Sequence, residues 1–316
     1  MADYKHLFEY QGSSPCPSDI DKYWDDALAE MNSTDHKAEF IKKEFPSKIV
    51  DMYDLYYTGT KNAKIHAKVV IPKNREEKMP AVLLFHGYGD SAPDWSDLLR
   101  YASQNYVVAF MDVRGQGGFS EDVGGYKSST LERHFSRGID GDKHDLLMRD
   151  VFLDTSLLAK IIMGLDFVDE TRVATSGGSQ GGALAVVCAC LVPEIKKCAI
   201  QFPYLSDYKK NYELGAAAGA FHSAFAHYFR HYDPLHERED EFFEKLGYID
   251  IQNIAKRMKA DLLMFTGLLD VSVPAISQFA MYNKVTSNKK AYIYPDYGHE
   301  GMVGCMDIIF EFLSDL

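Results

Sequence analysis

Thr175-Ser176-Gly177-Gly178-Ser179-Gln180-Gly181-Gly182 closes one apolar run and opens another, Ala183-Leu184-Ala185-Val186-Val187. An apolar stretch ending in G-x-S-x-G and leading into a second one is how a nucleophile elbow is written. It places Ser179 on a tight turn between a strand and a helix. The glycines have a physical job there, because the nucleophile sits on strained backbone and only residues without Cβ let strand and helix close around it. The plainer reading is an ordinary glycine-rich βα turn, since a short pattern with wildcards recurs by chance.

Chain order favours the elbow. An α/β-hydrolase carries its acid and then its histidine downstream of the serine. Ala260 to Gly267 has the profile of a buried parallel strand, and Asp270 stands just beyond its carboxyl end. Ala291-Tyr292-Ile293-Tyr294 is a further strand-like run, followed by a loop that holds His299. The expected triad is Ser179, Asp270 and His299. His299 would take the serine proton and return it to the leaving alcohol, while Asp270 would fix the imidazole tautomer.

An oxyanion hole is legible as well. Pro80 to Phe85 reads as a buried strand that ends at His86-Gly87-Tyr88-Gly89, where such enzymes keep one donor. The backbone N–H groups of Tyr88 and Gln180 are the expected pair. His86 reads as a brace for that loop, since one triad needs only one base.

The chain has 316 residues, 46% hydrophobic and 25% charged, enough for one large α/β domain. Its formal charge of -12 disfavours nucleic acid and anionic membranes as partners. The start, Met1-Ala2-Asp3-Tyr4-Lys5-His6, has no apolar core of a signal peptide, and no run approaches the ~20 apolar residues of a membrane span. A cytoplasmic location is the expectation. Five cysteines, Cys16, Cys188, Cys190, Cys198 and Cys305, fit reduced and mostly buried thiols better than a disulfide framework.

Strands and helices alternate along the chain, which implies a mostly parallel sheet flanked by helices. Residues 63–71 read as an early, half-exposed strand, 106–111 as another, 145–163 as a helix, 172–176 as the strand feeding the elbow and 198–202 as the next strand. No internal repeat is visible. Two pieces stand outside the minimal sheet in a single domain of residues 1–316. Residues 1–50 form an N-terminal extension with a capping-box signal, Ser18-Asp19-Ile20-Asp21, and residues 203–258 form a helical cap insertion. Tyr204, Tyr208 and Tyr212 in the cap read as packing residues. The pair His227/His231 has zinc-compatible i,i+4 spacing but lacks a third ligand or an intervening Glu.

The string Arg114-Gly115-Gln116, the elbow Gly177 to Gly182 and the pair His299-Glu300 resemble the three signatures of the cephalosporin C deacetylase/acetyl xylan esterase family. The likeness runs from Cys16-Pro17 and Tyr23-Trp24 through His86-Gly87-Tyr88, Asp94-Trp95 and Phe242 to Asp250, to Tyr294 to Glu300. The resemblance implies an α/β-hydrolase that removes acetyl groups from short xylo-oligosaccharides and cephalosporins, with no cofactor or metal. It also implies a homohexamer, a trimer of dimers, whose sites open to an internal chamber. By the same resemblance Arg114 and Gln116 support the site, and Trp95 and Pro203 join Tyr88 and Gln180 in crowding the serine. Two stretches depart from the family pattern: Val271 to Ser277, where the family has Cys-Pro-Pro-Ser-Thr or close to it, and Ser128 to His134. The first change lies beside the acid and bears on acyl preference. Another α/β-hydrolase chemistry, such as a peptidase, a lipase or a general short-chain carboxylesterase, and a catalytically silent binding protein are the remaining alternatives.

Overall fold

The computed structural model describes residues 4–75, 77–128, 134–215 and 219–316. Nine strands form one sheet in the order β1-β2-β3-β5-β4-β6-β7-β8-β9. They are β1 (Glu39–Lys43), β2 (Val50–Thr58), β3 (Lys64–Pro72), β4 (Met79–Phe85), β5 (Val107–Met111), β6 (Val168–Gly178), β7 (Lys197–Gln201), β8 (Asp261–Gly267) and β9 (Lys289–Tyr294). The pairs β1/β2, β2/β3 and β3/β5 are antiparallel, and all pairs from β5/β4 through β8/β9 are parallel. The mostly parallel expectation therefore holds for the part of the sheet that carries the site.

The central strands are near-continuous apolar runs because helices cover both of their faces. Every residue of helix Gln180–Leu191 is buried, which accounts for an Ala/Val/Leu/Cys sequence that is apolar all round. Helix Leu147–Met163 packs on the same side and helix Cys305–Leu313 on the other.

Three expectations need correction. Residues 63–71 are not half-exposed: β3 is buried along nearly its whole length, because it is an interior strand between β2, not anticipated, and β5, with side chains packed into the hydrophobic clusters on both faces of the sheet. The N-terminal extension is not wholly outside the sheet, since β1 lies within it and forms the sheet's first strand. The capping box also fails to form. Asp19 is the N-cap of helix Ile20–Asn32 but makes no side-chain cap bond, and its carboxylate instead accepts from Lys143 Nζ and Tyr248 Oη, both at 2.5 Å. Those charge-assisted bonds to other elements outcompete a local bond to backbone.

Between β7 and β8 the chain forms helices Tyr208–Glu213, Gly219–Tyr232, Glu239–Gly247 and Ile251–Ile254. Helix Ile20–Asn32 docks between this insertion and helix Leu147–Met163: Trp24 is fully buried, stacks near Phe152 and donates Nε1–H to the Tyr248 carbonyl. Among the described residues, no helix is long and apolar enough to cross a membrane.

Candidate active site

β6 ends at Gly178, and Gln180 begins the next helix, so Ser179 alone makes the turn. It does so at φ 56°, ψ −122°, outside the regions an L-residue prefers. Close packing enforces the turn. A Cβ on Gly181 would lie 2.0 Å from the Phe85 carbonyl oxygen, and one on Gly177 would lie 2.4 Å from the Gly181 carbonyl. No side chain fits at either position.

The loops beyond β9 and β8 bring a histidine to this hydroxyl and a carboxylate behind the histidine. His299 Nε2 is 3.0 Å from Ser179 Oγ, and His299 Nδ1 is 2.8 Å from Asp270 Oδ2. A carboxylate can only accept, so Nδ1 carries the imidazole proton and Nε2 presents its lone pair to the serine. Asp270 is held by its own loop: Oδ1 accepts the N–H groups of Ser272 (2.9 Å) and Val273 (2.8 Å), leaving Oδ2 to the histidine. This is an Asx-type turn, in which the Asp side chain satisfies backbone N–H groups just ahead of it.

Gln180 is the first residue of its helix, so its backbone N–H has no acceptor within the helix and lies at the positive end of the helix dipole. Tyr88, the other expected donor, lies on the loop after β4 and lines the same pocket as Ser179. The side chains behind the two donors are joined. Gln116 and Gln180 exchange amide hydrogen bonds of 2.9 and 3.0 Å, and Gln116 Oε1 also accepts the Gly89 N–H at 2.8 Å.

His86 braces that loop. Its Nε2 accepts the Val113 N–H at 2.9 Å and its Nδ1 donates to the Gly87 carbonyl at 2.7 Å. Burial pushes its pKa below the ordinary value, which favours the neutral form this bonding requires. Arg114 lies deeper, fully buried, with Nε 2.5 Å and Nη2 2.8 Å from the two Asp154 carboxylate oxygens. Burial opposes its charge, but the Asp154 carboxylate outweighs burial and raises the Arg114 pKa.

A pocket of about 290 Å³ opens above Ser179, lined by Gly87, Tyr88, Tyr204, Ser272, Val273 and His299. Trp95 and Pro203, expected to crowd the serine, are not among the lining residues. Trp95 packs with the cluster on the other face of the sheet, under Lys68, and Pro203 is buried against Gly182. Tyr204, read as a packing residue, is buried yet reaches the pocket wall, because its backbone N–H donates to the Ser179 carbonyl and ties it to the elbow. Tyr208 packs against Phe135, as a packing residue would. Ser272 and Val273, in the stretch after the acid, were not anticipated as lining residues. The departure at Ser128 to His134 falls largely on residues outside the described ones.

The five cysteines are free, with Cys16 exposed and the others buried. Burial pushes the Cys198 and Cys305 thiols up to about 12. The His227 and His231 rings are 4.7 Å apart, but among the described residues no group of three or more His, Cys, Asp or Glu side chains is placed to hold a metal ion.

Known proteins place these features in a family. The family model for acetyl xylan esterase (AXE1) matches residues 2–316. The crystal structure of acetyl xylan esterase 1 from Thermoanaerobacterium sp. JW/SL YS485 is 47% identical, with a TM-score of 0.96 over 99% of this chain and 98% of that one. The acetyl xylan esterase from Paenibacillus sp. R4 is 31% identical, with a TM-score of 0.94 over 99% of each chain. Acetyl esterase Axe7A of Xylanibacter ruminicola is 25% identical over 293 residues, 90% of this chain, which spans 63% of that protein's length. With an α/β-hydrolase fold and a family match across nearly its whole length, this chain belongs to the acetyl xylan esterase family.

Proposed function

We propose that the protein is a serine esterase that hydrolyses acetyl esters of small substrates through an acetyl-enzyme intermediate. The observation that carries this reading is the Ser179–His299–Asp270 chain of hydrogen bonds at the floor of an open pocket. Ser179 Oγ attacks the acetyl carbonyl carbon as its proton passes to His299 Nε2, and the carbonyl π pair moves onto oxygen. The Tyr88 and Gln180 N–H groups receive that oxyanion. Each such donor typically stabilises the transition state by about 2.7–4 kcal/mol. Collapse expels the alcohol, which takes the proton from His299. Water then repeats the sequence on the acetyl-enzyme and releases acetate.

Acetylated xylo-oligosaccharides are the substrate class favoured by the family, and the acetoxymethyl group of cephalosporins presents the same reacting atoms. Val273 and Tyr204, both buried, line the pocket beside Ser179, and that fixed apolar wall supports a preference for a methyl over longer acyl chains. Rates across an acyl series test this: kcat/KM for aryl acetate should exceed that for butyrate by tenfold or more, with octanoate slower still, because each methylene in a fitted pocket is worth about 1–3 kcal/mol. Butyrate equal to acetate would favour a general carboxylesterase instead.

The family likeness also supports a homohexameric assembly. Light scattering that gave a mass near one chain would overturn this assembly and its internal chamber.

A further inference from the structure

Phe202 combines a strained backbone with a placed ring. Its φ is +34°, in the left-handed region that bulky residues avoid. Such outliers persist only where the surroundings over-determine them, and they cluster where a side chain must be aimed. Here the backbone is pinned on both sides. The Phe202 N–H donates to the Phe265 carbonyl at 2.8 Å, the Ser179 N–H to the Gln201 carbonyl at 3.0 Å, and the Tyr204 N–H to the Ser179 carbonyl at 3.0 Å.

The strained residue aims its ring at the histidine. The Phe202 and His299 ring centroids are 4.5 Å apart with planes inclined at 51°. The ring edge also lies over the elbow, since a Cβ on Gly178 would meet Phe202 Cε2 at 3.4 Å. His299 lines the pocket above Ser179, and Phe202 is not among the residues lining it.

We propose that Phe202 is a positioning residue for His299, holding the imidazole against Ser179 and favouring the imidazolium that forms as the serine proton is transferred. The inference rests on reading Ser179 and His299 as nucleophile and base. In that step the Oγ–H bond breaks, an Nε2–H bond forms, and the oxygen's electron pair goes to the acyl carbon. The imidazole gains a positive charge while Asp270 occupies its Nδ1 side. An aromatic face within about 6 Å attracts a cation, and it does so without a hydrogen bond that would compete for the tautomer.

Three replacements in the full chain separate this role from simple packing. Phe202→Leu keeps apolar bulk but removes the π face, a pentafluorophenyl ring keeps the shape but inverts the quadrupole, and Phe202→Tyr keeps both. Steady-state rates with an aryl acetate across pH, together with organophosphate labelling of Ser179, are the readouts. Leu and the pentafluorophenyl ring should each lower kcat about three- to thirtyfold. KM should stay within about twofold, because the ring is not part of the pocket lining. The acid limb of the profile should move to lower pH, since the imidazole loses a contact that favours its protonated form. Phe202→Tyr should retain kcat. A pentafluorophenyl variant with wild-type kcat and acid limb would overturn the inference, whatever Leu does, because shape alone would then suffice. Failure of the wild type to label at Ser179 would overturn the serine mechanism and the inference with it, whereas normal labelling with an unchanged pentafluorophenyl variant would overturn the inference alone.

Discussion

Gln116 and Gln180 form a reciprocal amide pair, each side chain donating to the other at 2.9 and 3.0 Å. Gln180 follows the nucleophile, and Gln116 also receives the Gly89 N–H from the loop that carries Tyr88. One side chain therefore sets the spacing of the two proposed oxyanion donors while touching neither serine nor histidine. Gln116→Ala should lower kcat about 10- to 100-fold, since displacement by an ångström or less at a reacting centre has effects of that size. KM should change little, because the donors act on charge that appears only in the transition state. A kcat within twofold of wild type would show that the loop holds its geometry without the pair.

Val273 stands at the junction of acid and pocket: its N–H fixes Asp270, and its side chain lines the space above Ser179. Val273→Ala retains the backbone bond and removes two methyl groups from the wall. The kcat/KM ratio of butyrate to acetate should rise by about tenfold or more, and most of the change should come from butyrate. An unchanged ratio would place the acyl group elsewhere in the pocket, toward Tyr204.

The parts of the site visible in the sequence share a physical cause. Phe85, Gly178 and Gly267 end apolar strands, and the residues just beyond them gather at the carboxyl edge of a parallel sheet. Ser179, Asp270 and His299 could thus be named from position along the chain, and the structure brings them to hydrogen-bond distance. β1 could not, because Glu39-Phe40-Ile41-Lys42-Lys43 lacks clean alternation and is largely exposed, so its pairing with β2 comes from tertiary context. Pocket lining was the least legible feature. Trp95 and Tyr204 are both aromatic residues near glycine-rich loops, and only the direction in which each backbone turns decides that Tyr204 reaches the serine and Trp95 the far face.

Arg114 tests stability rather than chemistry. Its guanidinium is fully buried, bonded at two points to Asp154 and at 3.0 Å to Thr60 Oγ1. Arg114→Ala would strand a buried carboxylate, at a cost of about 3–5 kcal/mol. Thermal or urea unfolding should show that loss, and Arg114→Lys should recover only part of it, because an ammonium cannot reproduce the two-point geometry. An alanine variant as stable as wild type would mean that the pair is offset by repacking or by water.

The central claim is that an acetyl group passes through Ser179. Mass spectrometry of protein quenched during turnover of an activated acetate ester tests it directly. The account predicts one added acetyl group on the peptide carrying Ser179, absent from Ser179→Ala, with residual catalysis in that variant only about 10³–10⁴ over water. An acetylated peptide elsewhere in the chain, or an alanine variant that turns over at a rate near wild type, would contradict it.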